Sequence, residues 1–315
     1  MENKPKKISQ RDALFNRLYE IAKDNRNVVI VSADMGAPSL DKFRRDLSSQ
    51  YVDVGIAEQN AITIAAGLAM NGKKVFAYAI APFITLRCYE QIKLELAAMN
   101  LPVTVVGIGA GFSYDPSGPT HHNLEDISIM RALPNLTMTS LTDSAMTTAF
   151  ADISCKMNHP NYLRLDRGLE PDIYKNGDDF SAGLSILRKS KDVYIIATGN
   201  MVHRALEVSD ELKKLSVNAG VIDLYTLPVN QKLLLEAVNG AKKIITLEEH
   251  FLEGGMGSAV LEVLADNNKL ISVQRFGLSL KKGYCYKYGG RENIQSLYGL
   301  DAKSLVKAIY EKRNK

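Results

Sequence analysis

Short runs of apolar, often β-branched residues recur along this chain, and longer stretches of helical periodicity separate them. Residues 27–34, 73–80, 102–110 and 136–141 read as strands, and 11–24, 57–70, 86–99 and 123–131 read as helices. Strands that are apolar throughout and joined through helices predict a mostly parallel sheet covered on both faces. A further strand at 161–166 leads into a polar, irregular stretch, 168–183, with the turn signals Gly-Leu-Glu-Pro and Asn-Gly-Asp-Asp. A second series follows, with strands at 192–198, 218–225, 242–248 and 270–276 and helices at 202–215, 231–238, 257–265 and 302–312. The pattern predicts an α/β chain of two domains, 1–180 and 185–315, each a mostly parallel sheet flanked by helices.

Composition agrees with two buried cores: 315 residues, 46% apolar and 23% charged. Part of the net charge of +4 lies at the ends, in Lys4, Lys6, Lys7, Lys312, Arg313 and Lys315, which read as solvated tails and do not argue for nucleic acid. Cys88, Cys155 and Cys285 form no close pair, which fits a reducing compartment and excludes a thiolate zinc site built from this chain alone. The first residues carry no apolar signal region, and no apolar run is long enough to span a bilayer, so the expected location is the cytoplasm.

Candidate chemistry sits in a few strings. Asp53-Val-Gly-Ile-Ala-Glu58-Gln-Asn60 runs into a small, apolar helix and places one carboxylate at its first turn. No cationic partner is obvious on the neighbouring helix surface, and a carboxylate there is costly unless something bonds to it. The helix dipole alone also favours an acid at that end. In Ala79-Ile-Ala-Pro-Phe83-Ile-Thr-Leu-Arg87 an aromatic follows a strand, where it can stack on a heteroaromatic ring. Gly109-Ala-Gly-Phe-Ser-Tyr-Asp-Pro-Ser-Gly-Pro-Thr-His121-His122 is a loop between strand and helix, the usual ligand position in open parallel sheets. A histidine in it can donate to a substrate or move a proton near neutral pH. Arg11 and Arg167 offer forks suited to phosphate oxygens. The Gly-rich turn in Thr246-Leu-Glu-Glu-His250-Phe-Leu-Glu-Gly-Gly-Met-Gly257-Ser258 precedes a helix, where an anion can bind.

Together these strings resemble the C-terminal half of the thiamine diphosphate-dependent transketolase family, over nearly the whole chain. The resemblance implies that Glu58 hydrogen-bonds a ring nitrogen of the cofactor's aminopyrimidine and so assists loss of the thiazolium proton. It implies that Ile56, Phe83 and Arg87 lie at the pyrimidine, that His121 acts at substrate oxygens, and that His122 points elsewhere. Arg11 and Arg167, with Ser39, would grip a substrate phosphate. The helix 57–70 would pack at a dimer interface, and the string 246–258 would be mainly structural and dimer-related. The chain also departs from the family. Phe83 and Arg87 are spaced by four where relatives space them by three, so Ile84 is an alternative for the stacking slot. Ser117 replaces an acid, although Asp115 stands two residues earlier, and Gly109 replaces a phosphate-binding histidine.

The family holds the cofactor's pyrophosphate and its Mg2+ with Gly-Asp-Gly and a later Asn. Asn176-Gly-Asp-Asp179 is the nearest approach; it lacks the second glycine and falls in the linker. The expectation is therefore the C-terminal subunit of a split transketolase, moving a two-carbon ketol unit from a ketose (phosphate) to an aldose. An N-terminal, pyrophosphate-domain subunit would bring the Mg2+ ligands, and self-association would give a dimer or an α2β2 assembly. Two alternatives stay open: a deoxyxylulose phosphate synthase-like or 2-oxoacid dehydrogenase β-like subunit, and a non-catalytic regulatory subunit.

Overall fold

The computed structural model describes residues 8–311, so the charged ends named above lie outside the described residues. The chain divides into two compact units. One takes the residues up to Ala110 together with Ala132–Asp178, and the other takes Gly111–Arg131 together with everything from Asp179 onward.

In chain order the first half forms α1 (Gln10–Asp24), β1 (Val28–Ser32), α2 (Pro38–Asp46), β2 (Tyr51–Asp53), α3 (Glu58–Met70), β3 (Lys74–Ile80), α4 (Ala81–Thr85), α5 (Tyr89–Gln91), β4 (Val103–Ile108), α6 (Asp126–Met130), β5 (Thr137–Ser140), α7 (Ser144–Lys156) and β6 (Asn161–Leu165). All but α6 belong to the first unit. Its strands lie in the order β2-β1-β3-β4-β6-β5, and each neighbouring pair is parallel. Every residue of β1, β4 and β6 is buried, as strands covered on both faces require. All carboxyl ends of a parallel sheet lie on one edge, so the segments after β1, β2, β3 and β6 emerge together.

Local chemistry sets the helix ends. Ser9 caps α1 by accepting from the Asp12 N–H, and α1 buries Leu14, Leu18 and Ala22 on one face. Arg17 on α1 makes a bidentate pair with Asp152 on α7, at 2.8 and 2.6 Å. α2 begins with Pro38, carries Asp41 in its first turn and ends on Arg44 and Arg45, an order that suits the helix dipole. Asp143 caps α7 through one oxygen and takes the Ile173 and Tyr174 N–H groups with the other, so the irregular stretch is fastened to the sheet edge.

The second half adds β7 (Ser185–Arg188), β8 (Val193–Ala197), α8 (Met201–Lys214), β9 (Ala219–Asp223), a two-residue β10 (Thr226–Leu227), α9 (Gln231–Ala237), β11 (Lys243–Phe251), α10 (Met256–Asp266), β12 (Ser272–Leu278), α11 (Arg291–Leu297) and α12 (Ala302–Glu311). A five-stranded sheet of order β12-β11-β8-β9-β7 is parallel except at β7, which runs antiparallel to β9. Ile196, Ile222, Leu234, Ile244 and Val260 lie in one of its cores. In the string 246–258 the buried carboxylate of Glu248 accepts the Met256 and Gly257 N–H groups at 2.7 and 2.9 Å. An acid of the chain itself thus fills the anion position at the start of α10.

Several expectations change. The helix expected over 86–99 breaks at Cys88, where φ is −101° and ψ is 13°, and Ile92–Ala98 is π-helical. The wider π turn brings Ile92, Leu96 and Ala97 to one buried face. The helix expected over 123–131 shrinks to α6, because Asn123 exchanges backbone bonds with Gly111 and the Leu124 carbonyl accepts from Phe251. Those bonds explain why Gly111–Arg131, expected within a contiguous domain of 1–180, clusters with the second unit. α2 and α7 were absent from the pattern: α2 is mostly polar, and α7 buries Ser144, Thr147 and Ser154 on its inner face.

Asp143→Ala removes a helix cap and the acceptor of two linker N–H groups at a buried position. The expected cost is about 2–4 kcal/mol, seen as a lower urea midpoint with an unchanged slope. A midpoint equal to that of the parent chain would show that the linker tie carries no stability.

Candidate active site

The carboxyl edge of the first sheet gathers the expected cofactor residues. After β2 the Asp53 carboxylate accepts the Asp34 and Gly55 N–H groups, and Gly55 takes φ +69°, which turns the chain toward α3. Glu58 is the first residue of α3, and its side chain is 5% exposed. Glu58 has a cationic partner, and it does not come from the neighbouring helix surface: Arg87 Nη1 donates to Glu58 Oε2 at 2.7 Å. The partner was hidden because it comes from the turn after α4, 29 residues on. Arg87 also lies over the Phe83 ring, 4.7 Å from its centroid, and its carbonyl accepts from Gln59. Glu58, Arg87 and Phe83 are therefore one cluster. Ile56, two residues before Glu58, is 79% exposed. Of the two stacking candidates, Ile84 is fully buried in the core while Phe83 is half-buried.

The residues of this cluster fit an aminopyrimidine. Arg87 engages Oε2 of the Glu58 carboxylate, which leaves Oε1 to accept from a ring nitrogen. A half-buried aromatic, Phe83, and an exposed aliphatic side chain, Ile56, accompany it. Cys88, next to Arg87, adds no nucleophile: burial, with Glu58 adding to it, pushes its thiol up to about 12 despite the nearby guanidinium.

Arg11 and Ser39 meet through a residue that sequence reasoning passed over. Asp12 accepts from Arg11 Nε at 3.2 Å and from Ser39 Oγ at 2.8 Å on Oδ1, and from Arg11 Nη2 and Ser9 Oγ on Oδ2. Burial opposes its ionisation, but the hydrogen bonds from Arg11, Ser9 and Ser39 outweigh it and hold the carboxyl below the usual range. The signal was present in Ser9-Gln-Arg-Asp12, which has the spacing of a capping box. Ser9, Asp12, Ser39, Lys42 and Leu169 border a cavity of about 540 Å3. Arg167 is exposed and lies two residues before Leu169.

His121 belongs to the second unit. It ends the short 3-10 turn Asp115–Thr120, in which Gly118 takes φ +69°, and its N–H donates to the Gly118 carbonyl at 3.0 Å. Its Nδ1 lies 2.9 Å from Thr120 Oγ1, and its ring tilts against Tyr114. Burial lowers its pKa. His122 faces the interior and sits edge-on to Phe112 at 4.9 Å. Among the described residues no group of three or more His, Cys, Asp or Glu side chains is arranged to hold a metal ion, and no helix is long and apolar enough to cross a membrane.

Known proteins match this geometry over almost its whole length. Residues 6–171 match the family model "Transketolase, pyrimidine binding domain", and 183–305 match "Transketolase, C-terminal domain". An apulose-4-phosphate transketolase subunit of Phocaeicola vulgatus is 33% identical over 309 residues, covering 96% of this chain and 97% of the relative. A 6-deoxy-6-sulfo-D-fructose transketolase subunit of a Clostridium species is 34% identical over 304 residues, covering 96% and 93%. Among solved structures, a split-gene transketolase described as an inactive beta4 tetramer superimposes with a TM-score of 0.86 at 31% identity, covering 96% of this chain and 98% of that one.

A histidine whose pKa is lowered by burial stays neutral down to a lower pH than a free one. His121 in the full chain, followed by NMR and assigned with a His121→Asn variant, is therefore expected to titrate below the ordinary value of about 6.5. A midpoint at or above that value would contradict its burial.

Proposed function

The chain belongs to the transketolase family, and on that premise we propose that it is the C-terminal subunit of a split thiamine diphosphate-dependent transketolase. It transfers a two-carbon ketol unit from a ketose donor to an aldose acceptor. The observation that carries this reading is coverage: the chain accounts for 97% of a relative named as a transketolase subunit and 98% of a chain from a split-gene transketolase. A separate N-terminal subunit supplies the pyrophosphate site and the Mg2+ ligands. The two chains act together as α2β2 in the cytoplasm. The apolar side chains exposed on the first unit, Ile56, Met70, Leu86, Leu94 and Met99, support a surface that other chains cover.

Thiamine diphosphate, when bound, supplies the nucleophilic carbon that takes up the two-carbon unit. Glu58 accepts a hydrogen bond from the aminopyrimidine and holds a proton at that ring nitrogen. Arg87 holds the carboxylate in place through one oxygen, while Phe83 and Ile56 give the ring apolar contact and exclude water. His121, neutral at pH 7, offers a ring nitrogen to substrate hydroxyls. Arg11, Ser39 and Arg167 receive the distal end of the sugar. Asp12 already engages Arg11 Nε and Nη2 and the Ser39 hydroxyl, so an anionic tail that approaches these donors meets a carboxylate beside them. This disfavours phosphate relative to an uncharged end.

Two outcomes test the reading in the complex with its partner subunit. Glu58→Gln is expected to lower ketol transfer by about 10²–10⁴-fold. An unaltered rate would remove Glu58 from the chemistry, and release of carbon dioxide from pyruvate would favour the synthase-like alternative. Asp12→Asn is expected to lower KM for a phosphorylated ketose several-fold relative to its unphosphorylated analogue; an unchanged ratio would contradict the competition.

A further inference from the structure

The loop that carries His121 is fastened at both ends to one strand of the second unit. Pairing of β11 with β8 ends at Leu247, and its register with β12 shifts between Leu247 and Phe251. Residues 248–250 therefore leave the regular ladder, as at a bulge that re-aims side chains. At the loop's entry, Glu249 Oε2 accepts the Phe112 N–H at 3.0 Å. The carboxylate is 2% exposed and also takes Arg291 through Nε and Nη2, and Gln295 Nε2 at 2.6 Å. At the exit, His250 Nε2 accepts the Ile127 N–H at 3.1 Å, and its Nδ1–H donates to the Phe251 carbonyl. Mutual backbone bonds between Gly111 and Asn123 close the loop between these points.

The fit at the entry is tight. Gly111 takes φ +58°, and a Cβ there would lie 1.9 Å from Glu249 Oε2. Only a residue without a side chain lets the backbone come this close to the carboxylate. Arg291 and Gln295, both from α11, fix both carboxylate oxygens in one orientation.

We propose that Glu249, held by Arg291 and Gln295, is a positioning residue that sets the place of His121 against the sugar. Strand β11 and helix α11 then act on substrate recognition through the loop base and touch neither cofactor nor substrate themselves. The proposal rests on the reading that His121 meets the substrate.

The test is steady-state kinetics of the complex with its partner subunit, with the Kd for thiamine diphosphate measured alongside. Glu249→Gln keeps the shape but removes the charge that Arg291 pairs with. It is expected to lower kcat/KM for the ketose about 10–100-fold, mainly through KM, with the cofactor Kd unchanged. His121 in that variant is expected to titrate closer to its ordinary value as it loses its fixed surroundings. Arg291→Lys keeps the charge, loses the fork, and is expected to give an intermediate KM; it carries the test if Glu249→Gln does not fold. A purely structural role would instead lower the melting temperature and the active fraction while leaving KM and the His121 titration unmoved, and would overturn the proposal. His121→Asn separates the two ideas. If it leaves KM unchanged, the reading of His121 is wrong; if it raises KM while Glu249→Gln does not, the positioning by Glu249 is wrong.

Discussion

A carboxylate buried at the first turn of a helix has to be answered by something, and at Glu58 one arginine answers one of its two oxygens. An unpaired charge there would be costly, and a fully paired one would leave nothing to offer a ligand. Arg87 settles this balance because it is itself half exposed and lies on the Phe83 ring. The arrangement depends on the parallel sheet. Glu58 follows β2 and Arg87 follows β3, so both reach the same edge, while β1 lies between those strands and sends Ser39 to the same side.

Buried acids organise both units, with different consequences. Glu248 and Glu249 are adjacent and buried, yet one closes the start of α10 and the other holds the entry of the His121 loop. Their donors come from the chain itself, so they are saturated and rigid. Asp12 is intermediate: it is bonded to Arg11, Ser9 and Ser39 but borders an open cavity, where a ligand can compete for the same donors.

The alternation of apolar runs and helical periods made the strands legible, because parallel strands buried on both faces are apolar throughout. It missed α7, whose buried face mixes Ser144, Thr147 and Ser154 with Met146, Phe150 and Ala151, and it merged the segment around Cys88 into one helix, because a π turn has no signature in a 3.6-residue pattern. Glu58 was legible from its motif, but its partner Arg87 was not, since the contact is made across strand order and not along one helix. Arg11 and Ser39 were named without the Asp12 that joins them, although Ser9 and Asp12 stand at capping distance. The assignment of Gly111–Arg131 to the second unit could not be read at all, because it rests on backbone bonds to Phe251 and on a glutamate 137 residues from the N–H it accepts.

The central claim is that this chain contributes the activating carboxylate of a site whose anchoring half is on another polypeptide. The most direct measurement is exchange of the thiazolium C2 proton of thiamine diphosphate into deuterated water, with Mg2+ present. It is followed for the partner subunit alone, for the partner with this chain, and for the partner with the Glu58→Gln chain. The account predicts fast exchange only when the chain with Glu58 intact is added. Equally fast exchange with the partner alone, or with Glu58→Gln, would contradict it.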